Sequence, residues 1–160
     1  MRALRIGVIG SGEATAAETD LARQVGSAIA RAEGIAVCGG LGGVMAAAAQ
    51  GAAVEGGIVV GILPGTSDAA AAPGVTIPIP TGLGEARNVL VARASEAVIA
   101  IAGGWGTHSE AAFCRKFGTP VIGLAANLPA DLLTESVEDP VAAVARAVEL
   151  IQERRRGATG

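Results

Sequence analysis

Ala97-Val98-Ile99-Ala100-Ile101-Ala102-Gly103-Gly104-Trp105-Gly106-Thr107-His108-Ser109-Glu110 decides the fold. Its first six residues are apolar, without a charge and closed by glycine, which predicts a fully buried strand over Ala97 to Ala102. Thr107 with Glu110 three residues later has the form of a capping box, and predicts a helix from Thr107 to Phe117. A strand, a glycine hinge and a helix N-terminus in succession present free backbone N–H groups and the positive end of a helix dipole. Those are the requirements of an anion site. One carboxylate, Glu110, stands beside it.

The same strand–helix alternation extends in both directions. Leu4 to Ile9 reads as a first strand, ending in Gly10-Ser11-Gly12. Thr15 and Glu18 form a second capping-box pattern, opening a helix to about Ala32. Its apolar face is Leu21, Val25, Ala28, Ile29 and Ala32, with Gly34 as its stop. Ile35 to Cys38 is a strand closed by Gly39-Gly40-Leu41-Gly42-Gly43, and Val44 to Glu55 a nearly uncharged helix, buried on more than one side. Ile58 to Leu63 and Val75 to Ile79 read as strands, and Glu85 to Ser95 as a helix. Pro120 to Gly123 is a strand, Leu124 to Glu135 a variable connection, and Asp139-Pro140 an N-cap and N1 pair. The last helix is amphipathic through Val141, Val144, Ala145, Val148 and Ile151. Uncharged strands alternating with helices predict a single Rossmann-like α/β domain over residues 1–160, with a mostly parallel sheet and helices on both faces.

Composition bounds the function classes. With 51% hydrophobic residues and 24 glycines in 160, the chain has an apolar excess that predicts a homodimer or larger homo-oligomer. The helices Val44–Glu55 and Glu85–Ser95 are its expected contact faces. No apolar stretch approaches the ~20 residues of a membrane span. The basic start Met1-Arg2-Ala3-Leu4-Arg5 precedes an apolar segment too short for a signal peptide, so a cytoplasmic protein is expected. A net charge of −3 with no Tyr, two Phe and one Trp argues against nucleic-acid partners. Cys38 and Cys114 lack metal spacing and read as reduced core thiols. Arg154-Arg155-Arg156 reads as a solvated helix end complementing the dipole.

Gly10-Ser11-Gly12 invites a dinucleotide reading, yet Thr15 stands where a third glycine belongs, and Cys38-Gly39 where an acidic ribose ligand would be. No Walker A sequence occurs. The only lysine, Lys116, lies at the far end of a helix, against pyridoxal phosphate chemistry and a decarboxylase. What remains is the pair of glycine clusters, Gly39–Gly43 and Gly103–Gly106, each between a strand and a helix. In a parallel sheet both open at the same edge, which predicts one shared anion pocket.

Gly103-Gly104-x-Gly106-Thr107-x-x-Glu110, Gly39-Gly40-x-Gly42-Gly43-x-Met45 and Arg87 together resemble the Lonely-Guy-like superfamily, long mislabelled "lysine decarboxylase". The resemblance spans nearly the whole chain, including Ile62-Leu63-Pro64-Gly65 and Thr119-Pro120-Val121-Ile122. It implies a phosphoribohydrolase that cuts the N-glycosidic bond of nucleoside 5′-monophosphates. By that resemblance Glu110 and Arg87 are the catalytic pair, and the glycine loop with Thr107 holds phosphate. Those hydrolases carry Pro where this chain has Ala102, and Lys where it has Asn88. The Arg-Asn form is similar to a compact subgroup related to molybdenum cofactor carriers, which bind a phosphate-bearing pterin without catalysis.

The expected ligand is therefore small and phosphorylated. Gly39, Gly40, Gly42, Gly43, Gly103, Gly104, Gly106, Thr107 and Ser11 are the candidate binding residues, and Arg87 the bidentate anion partner. Arg87 could instead pair with Glu85. Thr107 and Glu110 could serve only as a helix cap. In a hydrolase Glu110 would activate water or stabilise an oxocarbenium-like centre. Trp105 would stack on a base or pterin, or pack against another subunit. No metal is required, and a nucleotide or molybdenum cofactor is the candidate bound group. Two functions stay open: a nucleoside monophosphate phosphoribohydrolase, which Glu110 favours, and a non-catalytic carrier or sensor, which Asn88 and Ala102 favour.

Overall fold

A computed structural model describes residues 2–160; Met1, which opens the basic start, lies outside them. Seven parallel strands form one sheet: β1 (Arg5–Gly10), β2 (Ile35–Cys38), β3 (Ile58–Leu63), β4 (Ile77–Pro80), β5 (Ala97–Ala102), β6 (Val121–Ala126) and β7 (Glu135–Val137). Their order is β4-β3-β2-β1-β5-β6-β7. Five helices cover it: α1 (Ala16–Arg31), α2 (Val44–Val54), α3 (Asn88–Ala94), α4 (Trp105–Phe117) and α5 (Pro140–Gly157). The Rossmann-like α/β architecture is as the strand–helix alternation predicts.

β5 shows why its sequence is apolar throughout. Ala97, Ile99 and Ile101 face the layer of α1, α2 and α5, whereas Val98 and Ala100 face α3 and α4. A strand covered on both faces has no solvent side on which to place a polar residue. Burying each of the larger side chains stabilises the fold by roughly 1.5–3 kcal/mol. α1 and α2 cross closely because Gly26 lies against the Ala48 carbonyl and Gly51 against that of Arg23. Cys38 and Cys114 are buried free thiols.

Several boundaries differ from the sequence reading. α1 begins on the expected box, with Thr15 accepting from the Glu18 amide and Glu18 from the Thr15 amide. Its left-handed exit residue, however, is Glu33 (φ 57), not Gly34. The expected helix Glu85–Ser95 is a 3-10 turn over Gly84–Arg87 followed by α3. The strand expected over Val75–Ile79 starts later, at Ile77, after Val75 has closed a turn with Ala72. The presumed connection Leu124–Glu135 contains the end of β6, a 3-10 turn over Ala130–Leu132 and the start of β7. α5 buries Ala143, Val144, Ala147 and Ile151, leaving Val141 and Ala145 exposed. Asp139 caps it as expected, accepting from the Ala142 amide.

The C-terminal arginines are not simply solvated. Arg155 chelates Glu96 and donates to the Arg2 and Ala3 carbonyls, and Arg154 donates to the Glu96 carbonyl. They tie α5 to the edge of the sheet where β1 and β5 begin. Among the described residues, no helix is long and apolar enough to cross a membrane.

Candidate functional site

The strand order reverses at the β1–β5 pair. After β1 the chain builds outward through β2, β3 and β4, then returns to lay β5 on the other side of β1. The loops leaving the C-terminal ends of β1 and β5 therefore diverge and open a crevice, the usual ligand position in such sheets. A cavity of about 320 Å³ lies there. Ser11 and Gly12 line it from the β1 loop, Met45 from α2, Glu85, Arg87 and Asn88 from the turn into α3, and Gly104–Thr107 with Glu110 from α4.

α4 starts two residues earlier than its sequence suggests. Gly104 is the N-cap, no side chain caps the helix, and the His108 amide donates to the Gly104 carbonyl at 3.0 Å. The amides of Trp105, Gly106 and Thr107 precede that first helical bond, as at any helix start. Thr107 is thus the third helical residue, so the expected Thr107–Glu110 capping box does not form. Both side chains are nonetheless nearly buried, at 2% and 8% exposure. Among the described residues, neither the Thr107 hydroxyl nor the Glu110 carboxyl has a protein hydrogen-bond partner, and no fully buried side-chain polar atom is left unsatisfied. Their oxygens therefore meet the open space of the cavity.

Arg87 is 8% exposed and held from two sides. Its Nε donates to the Ile62 carbonyl at 2.9 Å and its Nη1 to Oδ1 of Asn88. Asn88 Nδ2 donates to the Ser109 hydroxyl at 3.0 Å, which ties the guanidinium to α4. The alternative pairing with Glu85 does not occur; among the described residues Arg87 makes no ion pair. Its Nη2 is without a protein acceptor, and by the same reasoning opens on the cavity.

The electrostatics follow from this burial. Desolvation pushes the Glu110 carboxyl up to about 7, against the pull of the Arg87 charge. Burial, with the Glu110 charge adding to it, pushes Cys38 to about 11 and Cys114 to about 12. Both thiols stay protonated and unreactive at neutral pH. The cavity thus holds one fixed positive charge, Arg87, and two carboxyls, Glu110 buried in its wall and Glu85 exposed beside it.

The structure brings Ser11, Arg87, Gly104, Gly106, Thr107 and Glu110 to one cavity. It places the other expected residues behind that wall. Gly103 (φ 134) packs on the Thr107 side chain, and Gly40 (φ 76) on Leu63 and Gly61. Gly39 lies under Arg87 and Met45, and Gly42 faces the Gly12 carbonyl. Gly43 (φ 64) is the N-cap of α2, and a Cβ there would stand 2.2 Å from the Ser11 carbonyl oxygen. That close approach lets the Val44 amide donate to the same carbonyl at 3.0 Å. The second glycine cluster thus seats Arg87 and the β1 loop, where the sequence reading had it share the anion pocket. Ser11 donates its own hydroxyl to the Glu13 carbonyl.

Gly12 and Gly43 also line an adjoining apolar groove of about 780 Å³ that runs along α2 past Ala46, Ala47 and Val54. Trp105 stands at the cavity rim, 89% exposed, its ring centroid 5.6 Å from that of His108. Asn88, Ser109 and Met45 shape the site without having been candidates. Asn88 carried a signal as the neighbour of Arg87, and Met45 as the end of the second glycine motif; Ser109 carried none. Among the described residues, no group of three or more His, Cys, Asp or Glu is placed to hold a metal ion.

Comparison with known proteins places this geometry. The sequence model of the SLOG cluster4 family matches residues 3–152. An uncharacterized protein of Archaeoglobus fulgidus is 44% identical over 124 residues, covering 78% of this chain and 82% of that protein. The molybdenum cofactor binding protein of the phototrophic bacterium Rippkaea orientalis superposes with a TM-score of 0.86 at 34% identity, covering 94% of this chain and 98% of that one. The Moco carrier protein of Chlamydomonas reinhardtii superposes with a TM-score of 0.86 at 32% identity, covering 95% and 99%.

Proposed function

The chain belongs to the SLOG cluster4 family, and from that premise we propose that it is a non-catalytic carrier of a phosphate-bearing pterin of the molybdenum cofactor type. The observation that carries the ligand class is the convergence of three unpartnered polar groups on one cavity. Arg87 Nη2, the Thr107 hydroxyl and the first-turn amides of α4 suit a phosphate. Trp105 offers an exposed ring at the rim for the flat part of the same ligand. The cavity and its adjoining groove fall within the ~300–1,000 Å³ of small-molecule sites.

Two structural features favour carriage over hydrolysis. Ala102 has φ 53, whereas proline is held near −65°, so the proline of the hydrolase motif does not fit this backbone. Asn88 accepts from Arg87 and donates to Ser109; a lysine in its place could accept nothing and would set a second cation beside the guanidinium. The relatives named as molybdenum cofactor binding or carrier proteins support the same reading. The hydrolase reading keeps one observation of its own, a buried carboxyl near neutrality beside an arginine, which suits acid–base work.

The test uses the sole tryptophan as reporter. Titration with a molybdopterin-type ligand should quench Trp105 saturably, and native mass spectrometry of protein from a cofactor-producing host should find the ligand bound. Incubation with common nucleoside monophosphates should release no base. Catalytic release of base, with no pterin bound, would overturn the carrier reading in favour of the hydrolase.

A further inference from the structure

Glu110 has the wrong charge for the anion its cavity suits. Its carboxyl lies one turn beyond Thr107 on the same face of α4, where helical side chains lean toward the helix start and so toward the phosphate position. It is more than nine-tenths buried and opens on the cavity, and among the described residues no protein group takes up its oxygens.

The groups around it are few. Arg87 approaches from the 3-10 turn without coming within ion-pair distance, its Nε and Nη1 already bonded to Ile62 and Asn88. Cys38 from β2 and Cys114 from α4 itself lie close enough to feel its charge, and are neutral thiols. Glu85, in the 3-10 turn with Arg87, lines the same cavity and adds a like charge, and Met45 from α2 an apolar side. An ionised Glu110 here would meet a phosphate dianion across a poorly solvated gap. A neutral one presents an O–H donor instead.

We propose that Glu110 holds the ligand's phosphate as a neutral hydrogen-bond donor, so that capture of the anion takes up one proton and loss of that proton releases it. This rests on the anion-binding reading above. The proton comes from solvent onto a carboxyl oxygen, and no covalent bond changes. Burial, even against the pull of the Arg87 charge, already places the carboxyl at about 7, and a bound dianion moves it further up. Affinity is then level below that pH. Above it, affinity falls by about tenfold per pH unit until the bound form also ionises. A carrier built this way discharges cargo when the site is deprotonated, without any change of fold.

Sulfate is the probe, because it keeps its double charge over the whole range whereas a phosphate titrates within it. Sulfate binding is followed by Trp105 fluorescence and by calorimetry in two buffers of different ionisation enthalpy, from about pH 6 to about pH 8.5. The wild type should bind at least about tenfold more weakly at the upper end and take up close to one proton per sulfate there. Glu110→Gln should bind with pH-independent affinity and no proton uptake. Infrared difference spectra of the wild type at alkaline pH should lose a carboxylate band and gain a protonated carboxyl band on binding, a readout that needs no variant. Sulfate binding with flat pH dependence in the wild type would overturn the proposal and leave the anion site standing. A dependence that persists in Glu110→Gln would assign it to another group and would equally overturn it. Absence of sulfate binding altogether would remove the anion site and this inference with it.

Discussion

Gly39 stands directly under the Arg87 guanidinium: a Cβ at residue 39 would lie 2.8 Å from Nη2 of Arg87, and equally close to Sδ of Met45. The free nitrogen of the arginine is therefore placed by the absence of a side chain on the neighbouring strand end. Asn88 fixes the other nitrogen, and through Ser109 couples it to α4. With the Ile62 carbonyl of β3 accepting from Nε, four elements set the position of one cation.

Gly39→Ala follows from this. Both atoms in its way are ends of flexible side chains, so the fold should lose less than about 1 kcal/mol. The displaced guanidinium should weaken anion binding about ten- to a hundredfold, the range of a hydrogen bond to a charged group. Thermal melts and sulfate titration check both halves. Unchanged affinity would mean that Arg87 Nη2 does not touch the ligand.

Ala102 provides a backbone test. Its φ of 53 costs an L-residue roughly 1–2 kcal/mol. Ala102→Gly removes that cost, but loses a buried methyl and gains unfolded-chain entropy, so stability should stay within about 1 kcal/mol. Ala102→Pro cannot adopt the angle and should cost about 3 kcal/mol or more. A proline variant as stable as the wild type in denaturant titrations would show that the loop can take the hydrolase form. It would also remove one argument for the carrier.

How much of this was legible beforehand depended on periodicity. β5 was readable to the residue, because six apolar residues between Glu96 and Gly103 admit few other interpretations. The Thr15–Glu18 box was equally plain. Thr107–Glu110 carried the same pattern and gave the wrong start: Gly103 and Gly104 turn the chain early enough for Trp105 to enter the helix, and a glycine N-cap leaves no side-chain signature. β7 has three residues, too few for a pattern. Glu33 takes the left-handed position although Gly34 beside it is the better candidate. The anion groups were found because Arg87, Thr107 and Glu110 belong to a motif. Their supports were harder to see, since Asn88 and Ser109 occupy ordinary helix positions and meet only across α3 and α4.

Assembly is the next expectation. Val54, at the end of α2, is 79% exposed, and Leu83, Leu90 and Trp105 add apolar surface around α3 and the cavity rim. α2 has no charged residue to oppose burial of that face. We expect a homodimer or larger by sedimentation at micromolar concentration, and dissociation in Val54→Glu with its melting temperature little changed. A wild type that sediments only as monomer removes this expectation.

Glu110 also makes a stability prediction that needs no ligand. A carboxyl raised from 4.5 to about 7 by burial, against the opposing pull of Arg87, holds a proton in the folded state that the unfolded chain has already released. Stability therefore falls as pH rises between those two values, and levels off above the folded one. Glu110→Gln never ionises and escapes the loss. Relative to wild type it should be neutral near pH 4.5 and gain up to roughly 3 kcal/mol by about pH 8. Glu96 leaves this window level in both proteins alike, since the stability it contributes is lost only as pH falls below about 4.5. Its burial works against ionisation, but the hydrogen bonds from Arg155 and Arg5 hold it below the usual carboxylate range. The quantity to measure is therefore the difference between the two proteins at each pH, by denaturant unfolding. A difference that grows with pH supports a buried, unpartnered carboxyl. A constant difference would mean that Glu110 is already ionised and stabilised in the folded protein, which would contradict the burial argument on which its role as a proton donor rests.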